Sequence, residues 1–264
     1  MRSVIARSWL QIRRRTPDLR GKQLCSRALT TVLGPVPLCS PDGIWLETRL
    51  SSTMDLSFLD PQGGGHGLIR EAINALRPGD HMLDVGANTG YFSLLAARRV
   101  GSEGLVIALE PSQREFQRLL ANLQLNHANN VLALNLASGD QPGISCLTVE
   151  PDHTGLNRIE QGGATSRSSQ PCQVIPLHAL QLGSLALAKI DTEGYELFTL
   201  RGLEPMLRQQ NIQRLLVEIS PLFLQQHQQT SSDIYNLMAR HGYRPTIGPL
   251  NERQWDELFV VEHF

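Results

Sequence analysis

From about residue 68 onward, short apolar runs alternate with longer stretches whose apolar positions recur every three to four residues. The runs at 81–85, 105–109, 131–136, 185–190 and 213–219 are too short for helices and rich in Leu, Val and Ile. They read as buried strands. The periodic stretches at 68–76, 91–99, about 112–126, about 193–210 and 233–241 read as amphipathic helices. Two weaker strands follow, at 243–247 and 258–262. Strands that alternate with helices must lie parallel and be joined by right-handed crossovers. The pattern therefore predicts an α/β fold, with a mostly parallel seven-stranded sheet and helices on both faces.

Two regions break this rhythm. Residues 144–149 and 172–176 read as short strands around a loop, 150–170, full of Gly, Ser, Asp, Asn and Thr. Residues 34–67 carry turn signals, Gly34-Pro35-Val36-Pro37 and Ser40-Pro41-Asp42-Gly43, with a short strand at 44–48. Gly63-Gly64-Gly65-His66-Gly67 fits a lid or hinge and equally a plain linker. Residues 1–33 look helical and irregular. The chain thus divides into an N-terminal extension with a lid-like segment, 1–67, and a main domain, 68–264.

Charge changes the picture at one end only. The net charge of the 264-residue chain is −1, which argues against a nucleic-acid binder. Residues 1–27, however, hold eight basic groups against Asp18 alone, leaving 16 basic and 24 acidic groups elsewhere. Such an arm could meet anionic lipid or an acidic partner. A solvated arm packed on the domain is the plainer reading and is favoured. A transit peptide is a third. Cys25, Cys39, Cys146 and Cys172 are scattered, as free thiols in a reducing cytoplasm would be. No histidine spacing suits a metal, so none is expected. No apolar run is long enough to span a bilayer.

The chemistry starts at Asp84-Val85-Gly86-Ala87-Asn88-Thr89-Gly90-Tyr91. A strand ends at a carboxylate, two glycines bracket a turn, and a helix opens. Glycines let a ligand lie against the backbone, and a helix start offers free N–H groups. Glu110 ends the next strand, where an acidic group can accept hydrogen bonds from ribose hydroxyls. The turn lacks the G-x-G-x-x-G triple of dinucleotide sites, and Asp84 would repel a pyrophosphate. A carboxylate there suits a cation. The balance moves from NAD to S-adenosylmethionine, which has an ammonium, a sulfonium and no phosphate. A nicotinamide oxidoreductase and a non-catalytic scaffold of the same fold remain as rivals.

Four segments together resemble the FkbM family of S-adenosylmethionine-dependent methyltransferases: residues 84–93, Glu110-Pro111-Ser112, residues 122–126, and Lys189-Ile190-Asp191-Thr192-Glu193-Gly194-Tyr195-Glu196, followed by Val217-Glu218-Ile219. The resemblance covers about residues 65–245. Thr192 stands where the family commonly has Val, and Ser138 where it often has Val. The resemblance implies a class I methyltransferase (Rossmann-like) sheet. It also implies O-methylation of a hydroxyl on a small molecule, sugar, glycolipid or secondary metabolite. On this reading Asp84, Gly86, Ala87, Asn88 and Gly90 line the methionine end of the cofactor, Glu110 and Pro111 the ribose, and Ser138 the adenine. Lys189 and Asp191, two apart on a strand, face one side. Only two lysines, Lys22 and Lys189, stand against 22 arginines, which suggests that the ammonium of Lys189 is needed. Asp191 is the first choice for contact near the methyl group and the acceptor oxygen, and Glu193 for a polar contact. Glu193 and Glu196 could instead be acidic residues in a helix's first turn. Glu218 borders the crevice or is a buried, hydrogen-bonded carboxylate. His153, in the polar loop, is the one histidine nominated as a base, beside the plainer reading of a solvated residue.

Overall fold

The computed structural model describes residues 1–15, 21–60, 66–149, 157–160, 169–250 and 253–262. His153 and Gly63–Gly65 lie outside them, as does most of the 150–170 loop.

The main sheet forms from β3 (His81–Val85), β4 (Leu105–Leu109), β5 (Val131–Leu134), β10 (Leu187–Ile190), β11 (Arg214–Ile219), β12 (Tyr243–Pro245) and β13 (Trp255–Val261). Its order is β12-β13-β11-β10-β3-β4-β5. The pairs β3–β4, β4–β5, β3–β10 and β10–β11 are parallel, and β13 runs antiparallel to both its neighbours. The order reverses between β3 and β10. That is where a doubly wound sheet opens a crevice at the carboxyl ends of its strands. This is the class I methyltransferase sheet.

Side-chain alternation sorts the core into two layers. On one face Leu83, Val85, Ile107, Leu109, Ala188 and Ile190 pack on helices α7 (Glu196–Gly202), α8 (Glu204–Arg208) and α10 (Ser231–Arg240). On the other, Met82, Val106, Leu187 and Leu216 meet α4 (Gly67–Asn74) and α5 (Tyr91–Val100). Helix α6 (Gln113–Leu125) follows β4, and α9 (Pro221–Gln226) follows β11.

Three expectations need correction. The strand at 131–136 ends at Leu134, because Ala137 and Ser138 form β6 in a second sheet. That sheet, ordered β6-β9-β7-β8, also contains β7 (Gly143–Thr148), β8 (Arg158–Glu160) and β9 (Ser169–Ile175). Where it leaves the core there is no spare room. A Cβ on Gly202, at the end of α7, would collide with the backbone oxygen of Gly139. Second, the helix expected over 193–210 starts only at Glu196 and breaks at Leu203, with Pro205 in the first turn of α8. Third, the N-terminal strand has a partner: β1 (Val36–Cys39) and β2 (Trp45–Thr48) form an antiparallel hairpin. Helix α3 (Thr53–Ser57) follows it, and helices α1 (Arg2–Arg15) and α2 (Gly21–Leu33) precede it. Ala6, Leu33, Val36, Leu38, Leu50 and Leu59 give this region a small core of its own. The turn of the hairpin is tied to helices α4 and α5, since Asp42 accepts hydrogen bonds from Arg70 and Tyr91.

Candidate active site

The strand alternation that builds the α4–α5 layer also builds the site. The side chains on that face run Met82 then Asp84 on β3, Leu187 then Lys189 on β10 and Leu216 then Glu218 on β11. Register aligns Lys189 with Asp84 on one side and with Leu216 on the other, and Glu218 with Asp256 of β13. One apolar layer therefore gives way, at the carboxyl end of the sheet, to a strip of ionisable groups. A cavity of about 160 Å³ opens above it.

Its first wall is the turn after β3. Gly86 has φ +78°, and a Cβ there would collide with the backbone oxygen of Asp191, so the turns after β3 and β10 touch. Asn88 is also left-handed, with φ +50°, and its N–H donates to Oε2 of Glu110 at 2.8 Å. Oε1 of Glu110 accepts from the N–H of Ser112 at 2.8 Å. Burial nevertheless raises the Glu110 pKa to about 8, against these two donors, which lower it. Gly86, Ala87, Asn88, Glu110, Pro111 and Ser138 all border the cavity. Ser138 is buried and shares a 2.6 Å hydrogen bond with Thr199.

Asp84 and Gly90 do not themselves border the cavity. Asp84 stands level with Lys189 in the sheet but is fully buried, accepting from Ser93 Oγ at 2.5 Å and lying 3.5 Å from Lys189 Nζ. Gly90 caps α5 in a left-handed conformation against the Leu119 side chain.

The second wall is the turn after β10. Lys189 is 4% exposed, and its ammonium lies 2.9 Å from Asp191 Oδ2. Burial alone would lower its pKa, but Asp191 and Asp84 raise it above the ordinary value. Burial would likewise raise Asp191. Lys189 and a hydrogen bond from Glu218 hold it below the usual carboxylate range instead. Glu193 behaves oppositely: burial, then the nearby Asp191 and Glu196, push it up to about 9. Burial and Asp191 also push Glu218 well up, and Asp256 to about 6. Asp191 is thus the carboxyl pushed toward its ionised form, and Glu193 and Glu218 are the two pushed toward their protonated forms.

Glu193 is not in a helix's first turn. It has φ +52° and Gly194 has φ +101°, so the chain reverses before α7 begins. Glu196 makes that reversal: its Oε1 accepts from the Thr192 N–H, the Thr192 hydroxyl and the Gly194 N–H, each at 3.0 Å. Glu196 thus shapes the turn, and Glu193 lines the cavity.

Carboxylate oxygens of Asp191, Glu193 and Glu218 lie within 4.8 Å of one another. Oε2 of Glu193 and Oε2 of Glu218 are buried without a hydrogen-bond partner. Two unpartnered carboxyl oxygens beside the ionised Asp191 suit a ligand that brings hydrogen-bonding groups and positive charge. A pyrophosphate would not fit them. Sequence reasoning missed several groups that border the same cavity: Met54 of α3 and Phe58 just after it, His66 before α4, Gln254 and Asp256. Phe58 stacks on Tyr91 with centroids 4.3 Å apart, and His66 sits edge-on to Phe92 at 5.2 Å. Only the position of Asp256 beside a predicted strand carried any signal; the others arrive through long-range packing.

The family model for the methyltransferase FkbM domain matches residues 84–245, a span that takes in both cavity-forming turns. The chain belongs to the FkbM methyltransferase family. S-adenosylmethionine is the cofactor, and the charge and donor needs of the cavity suit it. A solved methyltransferase FkbM from Methylobacillus flagellatus KT is 18% identical, with a TM-score of 0.49; the match covers 70% of this chain and 45% of that one. A solved SAM-dependent methyltransferase from Aquifex aeolicus is 13% identical, with a TM-score of 0.45, covering 81% and 96%. Among curated proteins, an arsenite methyltransferase of Halobacterium salinarum is 34% identical over 61 residues, 23% of this chain. The chain spans only 16% of that relative's length.

Proposed function

We propose that this FkbM-family chain is an O-methyltransferase, acting on a hydroxyl of a small molecule, sugar or glycolipid. The observation that carries the reading is Asp191. It borders the cavity with 30% of its side chain exposed, is held ionised by Lys189, and ends the strand next to the topological switch.

Glu110 and Pro111 would hold the ribose, Gly86, Ala87 and Asn88 the methionine end of the cofactor, and Ser138 the adenine. Asp84 contributes by fixing Lys189. The cofactor, when bound, supplies a methyl group on a sulfonium sulfur. The chain's residues do the rest. Asp191 accepts a hydrogen bond from the acceptor hydroxyl and so aims the oxygen lone pair into the cavity. As that oxygen gains its new bond, its proton becomes far more acidic than any carboxylic acid. A carboxylate with a lowered pKa is then base enough. Lys189 keeps Asp191 charged and in place, and Glu193, protonated at neutral pH, donates a hydrogen bond to cofactor or acceptor. Phe58 and Phe92 cover the site from water. His153 stays a candidate base of the loop whose residues are not described.

Transfer of labelled methyl from S-adenosylmethionine into an extract of the source organism, with identification of the product, tests this. Label on a hydroxyl oxygen supports the reading; label only on nitrogen or carbon overturns it. In a thermal-shift assay S-adenosylhomocysteine should stabilise the protein and NAD should not.

A further inference from the structure

The two N-terminal helices each bury one side and turn a second apolar side outward. In α1, Ala6 is buried and Trp9 and Leu10 pack on the small N-terminal core. On the far side Val4, Ile5 and Ile12 are 66%, 40% and 53% exposed. At 3.6 residues per turn, positions i, i+1 and i+8 fall on one stripe. Helix α2 repeats the arrangement. Ser26 and Leu33 are buried, while Leu24 and Val32, eight residues apart, are 72% and 77% exposed, with Cys25 and Ala28 exposed between them. The described residues of the two helices include seven basic groups and no acidic residue. Arg13, Arg14 and Lys22 donate to Ser26 Oγ and to the Leu59 and Arg13 carbonyls, and Arg2, Arg7, Arg15 and Arg27 are exposed.

We infer that this helical pair is a membrane-surface anchor, which lays its outward apolar stripes into the interface of an anionic lipid leaflet. Apolar side chains flanked by arginines are what an interfacial helix requires: the stripe leaves water for the acyl boundary and the guanidinium groups stay at the headgroups. Each basic group near an anionic leaflet adds attraction. The alternative occupant, a second copy of the chain, is disfavoured by the same charges. A two-fold contact would bring like-charged faces together. No helix among the described residues is long and apolar enough to cross a membrane, so the contact is peripheral. None of the exposed stripe residues borders the catalytic cavity, so anchoring and methyl transfer are separable.

Co-sedimentation of the full chain with phosphatidylcholine vesicles, with and without phosphatidylglycerol, tests the anchor. Binding is expected only with phosphatidylglycerol, and it should weaken as salt is raised. The double variants Val4→Asp with Ile12→Asp, and Leu24→Asp with Val32→Asp, should each lose at least about tenfold in vesicle affinity. Both should keep the wild-type thermal shift with S-adenosylhomocysteine. The idea is overturned if wild type does not pellet with anionic vesicles, or if both variants bind as well as wild type. It is equally overturned if sedimentation velocity shows a dimer that these variants dissociate while vesicle binding is absent.

Discussion

Replacing Lys189 with Met removes the only ammonium from a strip that holds Asp84, Asp191, Glu193, Glu218 and Asp256. The lysine is 4% exposed, and its nitrogen lies 2.9 Å from Asp191 and 3.5 Å from Asp84, which has 1% of its side chain exposed. Removing one partner of a buried pair costs about 3–5 kcal/mol, because a charge is left without compensation. Asp191 keeps 30% of its side chain exposed, so the lower end applies, about 3 kcal/mol. For a chain of this length that is a fall in Tm of about 6 °C. The pH dependence gives a second signature. In the wild type Asp191 is held low, so its stabilisation is present above the unfolded pKa and is lost only in acid. In Lys189→Met, burial, the largest influence on Asp191, is opposed only by the Glu218 hydrogen bond and His66, so Asp191 takes up a proton on folding. The variant then loses up to about 1.4 kcal/mol per pH unit as pH rises. The gap between the proteins should therefore widen from pH 5 to pH 8. Differential scanning calorimetry at both pH values measures it. A shift below about 2 °C at pH 8, or a gap that does not change with pH, would falsify the counter-ion role.

Other expectations can be checked on the same purified chain. Glu110→Ala should weaken S-adenosylhomocysteine binding by about tenfold or more in calorimetry, while Asp191→Ala should mainly lower kcat; unchanged affinity in Glu110→Ala refutes the ribose assignment. Gly86→Ala should lose on the order of 3 kcal/mol or more, from positive φ and the collision with Asp191, and denaturant unfolding close to wild type would contradict the contact. Glu193 folds with its pKa raised to about 9, Glu110 to about 8 and Glu196 to about 7. Each stabilises fully only below its unfolded pKa, and that contribution disappears as pH climbs through the folded value. The chain should thus be less stable at pH 9 than at pH 6. Glu193→Gln should reduce the slope by up to about 1.4 kcal/mol per unit, and an unaltered slope means Glu193 is ionised in the fold.

The parallel sheet was legible because five buried strands and their helices carry strong local patterns. The Lys189-x-Asp191 pair was legible for the same reason: strand alternation alone puts both on one face. That alternation also decides the fate of Asp84. Its charge alone suggests a direct ligand contact, whereas the fold buries it level with Lys189 and 3.5 Å from that ammonium. The second sheet was not legible as a sheet. Its parallel β6–β9 pair joins Ala137 to Val174 across a long polar loop, and no local pattern records such a pairing. The left-handed turn at Glu193 was hidden because Glu193 to Gln210 has helical composition, and only the side chain of Glu196 reveals that the chain reverses first. Phe58 and His66 reach the site through tertiary packing of the N-terminal region, which sequence periodicity does not report.

The tight approach of Gly202 to Gly139 bears on how new specificities could arise in this scaffold. Residues 140–175 leave and re-enter the core at one pinned locus, where Gly139 packs against Val174 and Tyr195 and β6 pairs with the end of β9. The described part of this segment supplies Leu147, Asn157 and Ile159 to the cavity wall. Exchanged between relatives as a cassette, it would change that wall while the strands that end at Glu110 and Lys189 stay in place. A chimera cut inside those boundaries would instead sever the pairing that seats the cassette, and a bulkier residue at either glycine would lift it off the core.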